Sequence, residues 1–180
     1  MKSFQITSTI TELSSAEELN SEEKNLLALA KESAKSAYAP YSNFFVGAAL
    51  LLENGIIVCG NNQENVAFPS GLCAERVAFF SAGAQHPGVP IKIIAITARS
   101  DKFSIDKPVT PCGDCRQVMA EYEERYKKNI RVILSGEKGK IFIADSIKTL
   151  LPLMFSGEGL KANPHDGYAR TKPEKRKKIK

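Results

Sequence analysis

Apolar and polar positions along the chain change their period several times, and each change predicts an element. From Ser21, the residues Leu26, Leu27, Ala30, Ala34 and Ala37 recur at helical spacing, with Glu22 and Glu23 where a helix N-terminus favours negative charge. Pro40 predicts that this helix stops near Tyr38. The β-prone runs Val46 to Leu52 and Ile56 to Cys59 flank Glu53-Asn54-Gly55, so they predict a hairpin. Cys73 to Ala84 reads as a second helix, closed by Gly83 and the Pro87-Gly88 turn. Near-continuous aliphatics from Ile91 to Ala98 predict a buried strand. A third helix runs from Cys112 to Lys127, opened after Pro111, with Arg125, Lys127 and Lys128 suited to its negative end. Ile130 to Leu134 and Ile141 to Ala144 are short strands around Ser135-Gly136-Glu137-Lys138-Gly139. The order helix, two strands, helix, strand, helix, two strands predicts a three-layer α/β/α domain on one mixed five-stranded sheet.

The ends lack such periods. Residues 1–20 are rich in Thr, Ser and Glu and read as an N-terminal arm whose conformation the pattern leaves open. The folded domain is expected over 21–162, followed by a polar, basic tail over 163–180 that is expected to be mobile. Charge sharpens this division. The chain of 180 residues carries a formal +5, yet Lys172, Lys175, Arg176, Lys177, Lys178 and Lys180 against Glu174 place all of that excess in the tail. A neutral body argues against a polyanion-binding face, so no nucleic-acid partner is required. No run approaches the ~18 apolar residues of a membrane span, and nothing near Met1 resembles an export signal. A domain of this length has little need of disulfide staples, so the four cysteines predict chemistry in a reducing cytoplasm.

Three of those cysteines lie at the starts of two predicted helices. Cys112 and Cys115 lie three residues apart on the first turn of their predicted helix, so both sulfurs can reach one tetrahedral ion with Zn–S bonds of about 2.3 Å. Cys73 opens the other helix and offers a third ligand, which leaves a fourth position for water. Three thiolates on a divalent zinc make the set anionic. Arg76, one turn from Cys73, is placed to offset that charge by bonding the sulfurs from outside. Glu75 lies one residue from Cys73, and a carboxylate beside activated water is the arrangement for moving protons during hydrolysis. Cys-x-Glu followed by Pro-Cys-x-x-Cys is close to the signature of zinc deaminases.

From about Tyr38 to Leu160 the chain resembles the cytidine deaminase family, in its small homotetrameric branch with three cysteine ligands. The resemblance is carried by Tyr41-Ser42-Asn43-Phe44-Phe45-Val46-Gly47-Ala48-Ala49-Leu50, Asn62-Gln63-Glu64-Asn65, Cys73-Ala74-Glu75-Arg76, Pro111-Cys112-Gly113-Asp114-Cys115-Arg116-Gln117 and Leu150-Leu151-Pro152. It implies one Zn2+ per subunit on Cys73, Cys112 and Cys115, and hydrolytic deamination of cytidine and deoxycytidine in pyrimidine salvage. Glu75 would take a proton from the water, deliver it to N3 of the ring, and later help protonate the departing amine. The backbone amide of Ala74 would meet the ring O2, Asn62 and Glu64 would hold the ribose 3′-hydroxyl, and Phe44 would pack against the base. Phe155 would reach a neighbouring subunit's site.

Two positions depart from the family pattern: Phe68, where many members have Tyr, and Ser70, where the residue is often apolar. Cys59 ends an apolar strand and is expected to be a buried small hydrophobe, while His86 and His165 have no ligand spacing. Two other readings stand beside the first. One is a deaminase of a modified cytosine nucleoside or of cytosine in a polynucleotide. The other is a non-catalytic zinc or nucleoside-binding module, for which Cys59 is the only cysteine left as a fourth ligand.

Overall fold

In the computed structural model, residues 1–157 are described; the expected tail and His165 lie outside them. The first helix, α1 (Ser21–Ala34), is opened by a capping box in which Asn20 and Glu23 each bond the other's backbone amide. It ends sooner than Pro40 alone predicts, because Lys35, Ser36 and Ala37 tighten into three-residue turns and Tyr38 then bridges to Gln63. Strands β2 (Phe44–Leu52) and β3 (Ile57–Asn61) form the expected hairpin. Its loop turns on Gly55, whose φ of 83° is left-handed, while Gly55 N–H donates to Leu52 O.

Helix α2 (Ala74–Gln85) leads to β4 (Ile91–Ser100), α3 (Gly113–Tyr126), β5 (Arg131–Ser135) and β6 (Ile141–Ala144). Strands β4 and β5 are parallel, joined across α3, and the other neighbouring pairs are antiparallel. The sheet therefore is mixed, as expected, but it has six strands rather than five. The addition is β1 (Thr11–Leu13), which pairs with β6 and gives the order β1-β6-β5-β4-β2-β3. Its three residues carry no period of their own. The pairing is with a strand about 130 residues away, supported by the Lys140–Glu12 ion pair at 2.5 Å.

Alternation along the central strands sends residues to two separate cores. Ala49, Leu51, Ile93, Ala95, Ile133 and Ile143 face Leu26, Leu27 and Ala30 of α1, and Leu19 closes the same layer. Leu50, Ile94, Ile96, Val132 and Leu134 face Phe79 of α2 and Met119 of α3. Two glycines admit the helices. A Cβ on Gly47 would lie 1.9 Å from Ala30 O, so α1 rests directly on β2. One on Gly60 would lie 2.5 Å from Ala74 O and 2.6 Å from Ala78 N, so the start of α2 rests on β3. Both contacts are with backbone and cannot yield by moving a side chain.

Position in the sheet also corrects the expectation for Cys59. Its strand, β3, is an edge, and Cys59 is exposed although Val58 and Gly60 beside it are buried. None of the described helices is long and apolar enough to cross a membrane.

Candidate active site

The two helices on one face of the sheet begin side by side, and both begin with cysteine. Cys73 is the N-cap of α2 and Cys112 the N-cap of α3, each in extended backbone and neither using its side chain as a cap. The thiols are therefore free to converge. Cys73 Sγ lies 3.9 Å from Cys112 Sγ, which lies 3.5 Å from Cys115 Sγ, and all three sulfurs fall within 4.8 Å of one another. A tetrahedral ion with bonds of about 2.3 Å sets its sulfurs about 3.8 Å apart, so this triangle fits zinc. Cys59 is not in the cluster, and among the described residues no other Cys, His, Asp or Glu completes it. His86 caps the far end of α2.

Charge around the sulfurs is arranged for anions. Arg76 Nη2 donates toward Cys73 Sγ at 3.9 Å, its Nη1 lies 4.0 Å from Asp114, and its Nε is buried without an acceptor. The Cys115 thiol and Arg76 pull Cys73 down to about 5 against the effect of its burial. Cys115, hydrogen-bonded to Cys73 and buried, is pushed up in the metal-free protein. Two helix N-termini add partial positive charge at the same place.

Glu75, on the first turn of α2, is 5% exposed. Burial pushes its carboxyl up to about 7, and the nearby Cys73 charge adds to the rise, while a bond from its own backbone N–H works against it. A carboxyl tuned close to neutrality can both take and give a proton. Ala74 beside it is fully buried, and as the first residue of the helix its N–H has no carbonyl one turn earlier to bond.

These groups line one end of a cavity of about 920 Å³. Phe44, Val46, Ile96, Val109 and Thr110 contribute to its walls, and Asn62 and Glu64 reach it from beyond the end of β3. Asn62 is bonded on both sides to β2, accepting from Val46 N at 2.8 Å and donating to Phe44 O at 2.9 Å. One of its two N–H groups stays available. Glu64 accepts from Tyr41 N at 2.9 Å and Ser42 N at 3.3 Å, and from the Ser42 hydroxyl. Burial opposes it, but these three donors hold its carboxyl below the ordinary value.

Of the residues singled out from sequence, Cys73, Glu75, Arg76, Cys112, Asn62, Glu64 and Phe44 all line this cavity, and Cys115 completes the triangle. Phe155 does not line it. Its ring is 70% exposed, and its backbone is clasped by Gln117, which donates to Phe155 O at 2.8 Å and accepts from its N–H at 3.2 Å. Phe68 lies at the rim, edge-on to Tyr41 with ring centroids 5.7 Å apart, while Ser70 is exposed outside the lining. Ser42 and Gln117 went unassigned because each does its work through hydrogen bonds across the fold. Their only sequence signal is membership of the motifs that hold Phe44 and Cys115.

Comparison with known proteins agrees with this geometry. The family model described as "Cytidine and deoxycytidylate deaminase zinc-binding region" matches residues 20–130. A cytidine deaminase of Sporosarcina psychrophila is 43% identical over 138 residues, 76% of this chain and 93% of the relative. A probable cytidine deaminase of Dictyostelium discoideum is 34% identical over 79% of this chain and 90% of its own length. Among solved structures, the cytidine deaminase of Burkholderia pseudomallei superposes with a TM-score of 0.65 at 37% identity, covering 76% of this chain and all of the other. The matched span holds both cysteine-opened helices and the Asn62–Glu64 wall, and the chain belongs to the cytidine and deoxycytidylate deaminase zinc-binding family.

Proposed function

We propose that this protein hydrolyses cytidine and 2′-deoxycytidine to uridine and 2′-deoxyuridine, releasing ammonia, as a step of pyrimidine salvage in the cytoplasm. The observation that carries the reading is the buried Glu75 carboxyl beside three converging thiols, at one end of a cavity whose other polar wall is Asn62 and Glu64. Cys73, Cys112 and Cys115 would hold one zinc per subunit, which when bound would supply Lewis acidity that makes water nucleophilic at neutral pH.

Glu75 would accept one proton from the attacking water and deliver it to N3 of the pyrimidine, then pass the remaining proton of the C4 hydroxyl to the departing amine, so that the C4 oxygen becomes the carbonyl. One water is consumed and one ammonia released. The Ala74 amide donates to the ring O2, Phe44 packs against the base, and Arg76 balances the anionic sulfurs. Asn62 offers a donor and Glu64 an acceptor, the pair that one sugar hydroxyl can satisfy.

Self-association as a homotetramer fits the surface. Val66, Phe68, Leu153 and Phe155 are each at least 70% exposed and are the apolar side chains that such an assembly would cover. In the assembly Phe155 of one subunit reaches the site of the next. All four thiols are free, in keeping with a reducing compartment. The test is incubation of zinc-loaded protein with cytidine, following ultraviolet absorbance and ammonia together. Absence of turnover between about pH 6 and 9 with zinc bound would sink the reading.

A further inference from the structure

We propose that Ser42 is a positioning residue for sugar recognition, acting through the Glu64 carboxylate. The inference rests on the reading of Glu64 as the acceptor for the sugar 3′-hydroxyl. In the turn from Tyr41 to Asn43, Asn43 holds a left-handed φ of 54°, a conformation that Asn tolerates better than most residues, and its N–H donates to Ala39 O at 3.0 Å. The amides of Tyr41 and Ser42 just before it both donate to the same oxygen, Glu64 Oε2, at 2.9 and 3.3 Å. Two donors on one oxygen fix its place but leave the carboxylate free to pivot about it. The Ser42 hydroxyl, bonded to the other oxygen, Oε1, sets the plane.

Ser42 Oγ is itself oriented, because it accepts from Phe44 N at 3.0 Å, which directs its proton toward Glu64. The lone pairs then settle which oxygen faces substrate. Among the described residues, Oε2 takes two N–H groups and is saturated, whereas Oε1 takes only the Ser42 hydroxyl and keeps one site. That remaining site accepts a hydroxyl proton, and its direction depends on Ser42. The residue is exposed and outside both cores, so removing its hydroxyl disturbs the carboxylate rather than the fold.

The experiment compares 2′-deoxycytidine with 2′,3′-dideoxycytidine, which differ only at the 3′-hydroxyl, and reads the ratio of their kcat/KM values. In Ser42→Ala the ratio is expected to fall toward that of Glu64→Ala, for which loss of a bond to a charged group implies a fall of about 13- to 160-fold. Ser42→Gly should behave like Ser42→Ala, and Ser42→Thr, which keeps the hydroxyl, should restore the wild-type ratio. A purely structural role would lower both kcat/KM values together and leave the ratio unchanged. If Glu64→Ala loses the discrimination while Ser42→Ala keeps it, the role of Ser42 is overturned. If Glu64→Ala itself keeps the wild-type ratio, the reading of Glu64 fails first, and the proposal falls with it.

Discussion

Glu123 is the most informative place to perturb the scaffold behind the site. It lies in the second half of α3, is 3% exposed, and accepts three hydrogen bonds: from Ile130 N at 2.7 Å, Ile147 N at 2.8 Å and Ser146 Oγ at 2.9 Å. One carboxylate thus ties the helix that carries Cys112 and Cys115 to the entry of β5 and the exit of β6. Glu123→Ala leaves two backbone donors buried without acceptors, at about 1–3 kcal/mol each, and lost packing brings the expected cost to about 3–6 kcal/mol. That is a large fraction of a typical stability of about 5–15 kcal/mol. Glu123→Gln keeps one oxygen for the two amides, and the Ser146 hydroxyl can turn to accept from the new N–H group, so only charge assistance is lost, about 1 kcal/mol. Urea unfolding at fixed protein and zinc concentrations reads both. With a slope of about 2 kcal/mol/M, Glu123→Ala should move the midpoint by about 1.5–3 M and Glu123→Gln by about 0.5 M. Two variants within about 1 kcal/mol of each other would show that the three bonds do not carry the stability assigned to them.

The remaining expectations concern the site more directly. Glu75→Gln should retain zinc, measured by atomic absorption, while kcat falls at least ~10²-fold, since the amide cannot shuttle the proton. Cys112→Ser should lower both zinc content and thermal stability, because ligation is coupled to folding. Gly60→Ala should destabilise the protein by about 1–3 kcal/mol through its contact with the α2 backbone, whereas Gly113→Ala, with open space around it, should stay within about 0.5 kcal/mol in thermal unfolding. Because the folded protein holds Glu64 below its ordinary value, its contribution to stability is full above the unfolded carboxyl range and is lost as pH falls through the folded value. The stability difference between wild type and Ser42→Ala should accordingly shrink below about pH 4, as followed by unfolding in acid.

The parts of this structure legible in the sequence are those with local causes. Helix starts at Cys73 and Cys112 follow from charge, Pro111 and apolar spacing, and the Cys112–Cys115 pair follows from the first turn of α3, although it is the sheet that brings Cys73 to them. The parts that were not legible depend on who lies beside whom. Thr11–Leu13 is a strand only because β6 offers it an edge, and Cys59 is exposed on β3, which is an edge of the sheet among the described residues. Phe155 likewise has an unremarkable local sequence. Its outward ring follows from Gln117, 38 residues earlier, holding its backbone against α3.

Strand β3 couples the two ends of the cavity, and the coupling has a direction. Gly60 seats the first turn of α2, which carries Glu75 and follows Cys73, while Asn62 and Glu64 extend from the same strand two and four residues later. On the proposed reading, the Cys73–Glu75 end of the site and the sugar-binding Asn62 and Glu64 are therefore set from one short piece of backbone, with β2 locking its far end through both atoms of the Asn62 amide. A side chain at Gly60 displaces α2 relative to that piece. It shifts Glu75 away from a base still held correctly at the sugar end, so catalysis should suffer more than binding, with kcat falling further than KM rises. Ser42 acts at the opposite end, where a pivot of Glu64 weakens the grip on the hydroxyl and leaves the reacting carbon misplaced only as far as the sugar can drift. The two substitutions therefore separate chemistry from recognition in a site that a single edge strand spans.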